Sequence, residues 1–186
     1  TVETRKVIVI LVRLKDQNNS ASVAQINSTV FTRMRGYFEE VSYGKLSITG
    51  NITNWINVNN NTVDYGKDTG SGPTGIDDTD GDGIPDSWKL IRDAVNLTDG
   101  YINFAKYDDV IVVHSGGDQA ETGIPNDIWS VRYIDLEVAT NDGITITHGI
   151  LIAETDPMGI FAHEFGHELG LPDLYNTAGG SEYVGP

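Results

Sequence analysis

Residues 6–14 read KVIVILVRL, with no polar position between Val7 and Val12. A strand with one wet face alternates, so an unbroken aliphatic run predicts a strand buried on both faces. Residues 22–42 carry Val23, Ile26, Val30, Met34, Phe38 and Val41 at spacings of three and four. That pattern is an amphipathic helix, with Ser20 or Ser22 as its N-cap. KLSITGNITNWINV (45–58) alternates, as one bent strand or two. PDSWKLIRDAV (85–95) is a short helix with Pro85 and Asp86 in its first turn. Residues 108–116, 127–138 and 143–154 read as three more strands, and 159–169 as a helix ending at Gly170. Helices alternating with strands predict an α/β fold, a twisted, mixed, mostly parallel sheet backed by the helix over 22–42.

The chain has 186 residues and reads as one domain, 1–186, without a repeat or a linker that would split it. Apolar residues make up 39% and are spread along the chain, enough for a packed core. A formal charge of −15 argues against a nucleic-acid partner, which needs a basic footprint, and leaves carboxylates for divalent cations. With no cysteine, a disulfide framework and a thiolate metal site are both excluded. No apolar run approaches the length of a membrane span. The chain opens TVETRKVIVI without an initiator Met, as a mature or trimmed form would. Five N-x-[S/T] sequons, at Asn18, Asn27, Asn51, Asn60 and Asn96, favour secretion.

The chemistry gathers in IFAHEFGHELGLPDLYNT (160–177). His163 and His167 are four apart, so a helix stacks them on one face where both imidazoles reach one cation. Glu164 lies beside the first histidine, placed to take a proton from a metal-bound water. This is the H-E-x-x-H zinc signature of metallopeptidases. A catalytic zinc needs a third protein ligand and an open fourth position. Gly170 can adopt the left-handed conformation that turns the chain back. Asp173 then follows His167 by six residues, the spacing of the metzincin motif with Asp for the usual third His. A turn-capping role in LPDLY is the competing reading of Asp173. Glu182 is a second candidate ligand, in a Gly-rich tail with no helix to aim it.

The same stretch, HEFGHELGLPDLYNT, resembles the active-site segment of the immune inhibitor A family of secreted metallopeptidases. The likeness extends through YFEEVSYGKLSITGNI, INFAKYDDVIVVHSGG, IWSV and MGIFAHEFGH. The resemblance implies an α+β zincin-like fold, zinc-dependent cleavage of protein or peptide substrates, secretion, and a latent precursor with an inhibitory propeptide. It carries His163 and His167 over as ligands and Glu164 as the acid/base. Two features depart from the family pattern. Asn176 stands where an Asp is common, and the chain is short where members of this class continue well past the motif. Metzincins supply a methionine-containing turn there, whereas Met34 and Met158 both precede the motif. The expectation is a truncated domain, a fragment or a divergent short form.

Residues 59–85 are rich in Gly, Asp, Asn and Thr and read as a long loop inserted for a ligand. Within DDTDGDGIPDSW (77–88), Asp78, Asp80, Asp82 and Asp86 fall at positions one, three, five and nine of a calcium loop, with the Ile84 carbonyl at seven. Gly83 permits the turn at position six. Position twelve is Lys89 where an EF-hand has Glu, which leaves a structural Ca²⁺ site of the Asp-rich extracellular kind as the expectation.

His114 and His148 read as hydrogen-bonded strand residues, and Trp55, Trp88 and Trp129 as core or pocket walls. Glu168 is either a solvated helix residue or a support for one imidazole. The strand near 128–136 is expected at an exposed sheet edge, where substrate adds as a further strand. Two other function classes fit the residues: an inactive metal-binding domain, and a calcium-braced extracellular module with an idle HExxH.

Overall fold

The computed structural model describes residues 1–68 and 78–173. β1 (Glu3–Arg13) leads into a helix built of α1 (Val23–Ser28), a π-helical segment (Thr29–Met34) and α2 (Arg35–Val41). β2 (Leu46–Asn57), α3 (Val63–Gly66) and α4 (Asp86–Thr98) follow, then a 3₁₀ turn (Phe104–Lys106). β3 (Asp109–His114), α5 (Gln119–Thr122), β4 (Val131–Ala139), β5 (Thr145–Ala153) and α6 (Met158–Glu168) complete the described fold.

The five strands form one sheet in the order β2-β1-β3-β5-β4. β1 pairs in parallel with β2 and β3, β3 pairs in parallel with β5, and β4 runs antiparallel to β5 along the sheet's edge. The mostly parallel α/β fold expected from the sequence is therefore present. The stretch 45–58 is one strand, bulged opposite Val9 and Leu11 of β1. Residues 59–85 are not loop throughout: α3 sits there, burying Tyr65, whose hydroxyl donates to Asp93 at 2.8 Å.

β1 explains the layering. Residues 7–12 are all at most 2% exposed. Val7, Val9 and Leu11 pack with Ile26, Val30, Met34 and Phe38 of the helix over 23–41 and with Phe161 and Phe165 of α6. Ile8, Ile10 and Val12 face the opposite side, against Trp88, Ile91, Ala94 and Val95 of α4. Each fully buried aliphatic contributes about 1.5–3 kcal/mol, so the run stabilises two cores at once.

The helix over 23–41 shows how spacing and geometry meet. Ile26, Val30, Met34 and Phe38 step by four, and each such step overshoots a straight α-helix by about 40°. The wider π-helical segment turns the stripe back, keeping all four on the sheet. Val41, at the end of that stripe, is half exposed. Of the two candidate caps, Ser22 is used. Its hydroxyl accepts from the Gln25 N–H at 3.2 Å, and the Gln25 side chain accepts from the Ser22 N–H at 2.8 Å. The Ser20 N–H instead donates to the Glu154 carboxylate at 2.9 Å.

Candidate metal centre

α6 descends from the end of β5 across the face shared with the helix over 23–41, pinned by Phe161 and Phe165. Its last turn closes in a Schellman arrangement. The Leu171 N–H donates to the Gly166 carbonyl at 3.0 Å, the Gly170 N–H donates to the His167 carbonyl at 2.9 Å, and Gly170 has φ +85°. This reversal brings Asp173 back under the two histidines.

His163 Nε2 and His167 Nε2 lie 3.1 Å apart, and Asp173 Oδ1 lies 3.3 Å from the first and 3.2 Å from the second. A tetrahedral zinc with bonds near 2.0–2.1 Å has ligand–ligand edges of about 3.3–3.4 Å. The three atoms thus match one face of such a tetrahedron, and among the described residues no fourth metal-ligating side chain joins them. Among the described residues, Asp173 Oδ1 is buried without a hydrogen-bond partner, which fits an acceptor intended for a metal. The His167 Nδ1–H donates to the Leu171 carbonyl at 2.8 Å, which turns the Nε2 lone pair toward the other two groups. The donor set of two imidazoles and a carboxylate suits zinc. Glu182 and Asn176 lie outside the described residues.

Glu164 is buried, with Oε1 3.9 Å from His163 Nε2. Burial pushes its carboxyl up to about 7, while the nearby His167 and a hydrogen bond from the Arg132 backbone pull it down. One turn further on, Glu168 is neither solvated nor bonded to a metal-facing imidazole. It accepts from Arg132 Nε of β4 at 2.7 Å and faces His148 of β5 with its other oxygen. Burial raises the Glu168 carboxyl, but the bonds to His148 and Arg132 outweigh it and hold the group below its ordinary range. His148 is raised by its bond to Glu168, against the effect of burial. Asp109 of β3, paired with Arg5 of β1, continues this charged row across the sheet. Arg132 carries no signal in the sequence, since one arginine in an edge strand gives no sign of a buried partner on a distant helix.

Two surfaces flank the histidines. An apolar cleft of about 530 Å³ runs along α6, lined by Tyr37, Phe38, Met158, Ala162, Leu171 and Pro172 among others. On the other side lies β4, at the sheet's edge as expected, though it begins at Val131. It is bulged between Ile134 and Val138, with Asp135 at φ +59°. His114 is wholly buried at the end of β3, with Nδ1 2.9 Å from the Ser115 carbonyl. Trp88 is core, Trp55 donates to the Ala21 carbonyl at 3.0 Å, and Trp129 is partly exposed.

In the Asp-rich loop, Asp78, Asp80 and Asp86 come within 4.8 Å of one another. Asp82 stands beside them, and Ile84 engages through its N–H, which donates to Asp82 at 2.9 Å. The Lys89 ammonium lies among these carboxylates.

The chain is 29% identical to immune inhibitor A of Bacillus thuringiensis subsp. alesti in a gapped alignment of length 177 that covers 76% of this chain and 25% of that protein. It is also 29% identical to the pre-pro-metalloprotease PrtV of Vibrio cholerae serotype O1 (strain M66-2) in a gapped alignment of length 189 that covers 81% of this chain and 20% of that protein. The chain therefore spans about a quarter or less of the length of these relatives. The family model described as immune inhibitor A peptidase M6, catalytic domain, matches residues 18–118 and 78–186, and by that match the chain belongs to the immune inhibitor A peptidase family.

Proposed function

We propose that this chain is a zinc-dependent endopeptidase domain that hydrolyses peptide bonds of extracellular proteins. The observation that carries the reading is the convergence of His163 Nε2, His167 Nε2 and Asp173 Oδ1 within 3.3 Å beside the buried Glu164. His163, His167 and Asp173 would hold zinc, which when bound lowers the pKa of a water and polarises the scissile carbonyl.

The remaining work belongs to the chain's own groups. Glu164, buried beside His163, takes the proton of the attacking water and delivers it to the leaving amine. The Arg132 backbone fixes that carboxylate against β4. The outer edge of β4, which no other strand among the described residues pairs with, receives an extended substrate segment as an added strand, with main-chain hydrogen bonds giving affinity. The apolar cleft beside His163 and His167 takes a side chain of the substrate. The relatives' names, one a pre-pro-metalloprotease, and the sequons support secretion and a precursor held inactive by a propeptide.

The test combines zinc content with casein cleavage for the chain and for Glu164→Ala. Stoichiometric zinc in both, with cleavage lost only in the variant, is expected. Cleavage unaffected by Glu164→Ala would sink the mechanism. Zinc without cleavage in the parent chain would select an inactive metal-binding domain.

A further inference from the structure

The loop over 78–86 is wound like a cation site, and each of its carboxylates already has a partner. Asp78 accepts from the N–H groups of Gly81, Asp82 and Gly83 at 2.7, 3.1 and 2.7 Å. Gly81 and Gly83 hold the winding at φ +75° and +81°, which only glycine adopts without strain. Asp86, 2% exposed in the first turn of α4, accepts from the N–H and hydroxyl of Thr79 at 2.9 and 2.7 Å. Oxygens of Asp80, Asp82 and Asp86 also meet a cation of the chain. Lys89 Nζ lies 2.8 Å from Asp80, 2.8 Å from Asp86 and 3.4 Å from Asp82.

An ammonium has three donors, and here three carboxylates surround it. The Lys89 side chain is only 9% exposed, and lysine is almost never that buried unless paired. Lys89 also occupies position twelve of the calcium-loop count, where a calcium site supplies a bidentate carboxylate. The chain thus replaces the acid that would close the cage with a cation that enters it. Calcium requires six to eight oxygens at about 2.3–2.6 Å, and a divalent ion among these carboxylates would sit against a positive charge.

We propose that the Lys89 ammonium is the resident cation of this loop, tethered by the chain itself, and that it takes the place of calcium in fixing the loop to α4. Asp86 and Lys89 lie one turn apart on α4, so the contact joins the loop to the helix whose Trp88, Ile91, Ala94 and Val95 cover the second core. Burial lowers the Lys89 ammonium, but its bonds to Asp80 and Asp86 outweigh this and raise it, which keeps it charged. The bond from Lys89 likewise lowers Asp80. The loop is then ordered without exchangeable metal, and its stability is indifferent to extracellular calcium.

The experiment compares thermal melting of the chain, Lys89→Met and Lys89→Glu in EGTA and in millimolar calcium, with free zinc buffered at the same level in both, together with calorimetric calcium titration of the parent chain. The parent should melt at the same temperature in both buffers and give no binding heat. Lys89→Met should melt lower in EGTA. Lys89→Glu should melt lower in EGTA and regain stability in calcium, with a Kd on the order of 0.1–1 mM, the range of extracellular modules. A calcium-induced rise in the parent's melting temperature, or binding heat, would overturn the proposal, as would a Lys89→Met variant as stable as the parent. A Lys89→Glu variant that ignores calcium would equally overturn the claim that position twelve selects the cation. If a variant fails to fold, the parent's titration alone still decides.

Discussion

Arg132 of the edge strand binds two carboxylates one turn apart on α6: its Nε donates to Glu168 at 2.7 Å, and its backbone hydrogen-bonds Glu164. The strand that would receive substrate and the residue that would move the proton are therefore held in one register. Glu168→Ala should destabilise the fold by about 2–3 kcal/mol in urea unfolding. The value falls below that of a fully buried pair because the Arg132 side chain is a quarter exposed. Cleavage per folded molecule should fall as well, and unchanged stability would show that the pair contributes nothing.

Asp173→Ala should weaken zinc binding by more than about 100-fold, since changes beyond the ligands alone cost 10–100-fold. Competition with a zinc-sensitive chelating dye measures this directly. An unchanged affinity would return Asp173 to the role of a turn residue and move the third ligand elsewhere.

Gly170→Ala tests the turn that delivers Asp173. At φ +85° an alanine costs about 1–2 kcal/mol of stability, readable as a shifted urea midpoint. Zinc affinity should fall with it, because the reversal after α6 positions the carboxylate. A stability loss without any affinity loss would show that Asp173 finds the histidines independently of the turn.

Asp156 gives a pH signature separate from the metal centre. Burial pushes its carboxyl up to about 6, with the charge of Asp118 adding to the rise and a hydrogen bond from Ser130 opposing it. The folded state therefore binds more protons than the unfolded state between about 4 and 6, and stability falls as pH rises through that window. Below it the group costs nothing. Asp156→Asn should remove a loss on the order of 1 kcal/mol at neutral pH, after allowing for solvent screening. Denaturant melts at pH 4, 5, 6 and 7 should show the variant's advantage growing toward neutrality, and a constant difference would refute the assignment.

Several elements were legible because their signals are local. KVIVILVRL specified a strand with two buried faces, since adjacent side chains in a strand point to opposite sides and all of these are apolar. The stripe of the helix over 23–41 was equally plain, but the π-helical segment that keeps it aligned was not. Only packing against the sheet reveals the accumulated overshoot. Ser20 and Ser22 looked alike as caps, and the choice fell to Glu154, far along the chain, which takes the Ser20 N–H.

The sequence by itself determined that His163, Glu164 and His167 share a helix and that the two histidines share a face, because four residues in a helix make about one turn. It also determined that a strand buried on both sides must run through a layered fold. The tertiary structure alone decided that Asp173 meets both imidazoles, that Arg132 reaches Glu168, and that the ammonium of Lys89 enters the acidic loop. The physical reason lies in how each relation is fixed. Spacing within one element follows from backbone geometry. A meeting across turns and strands depends on the register of the sheet and the direction in which each turn releases the chain.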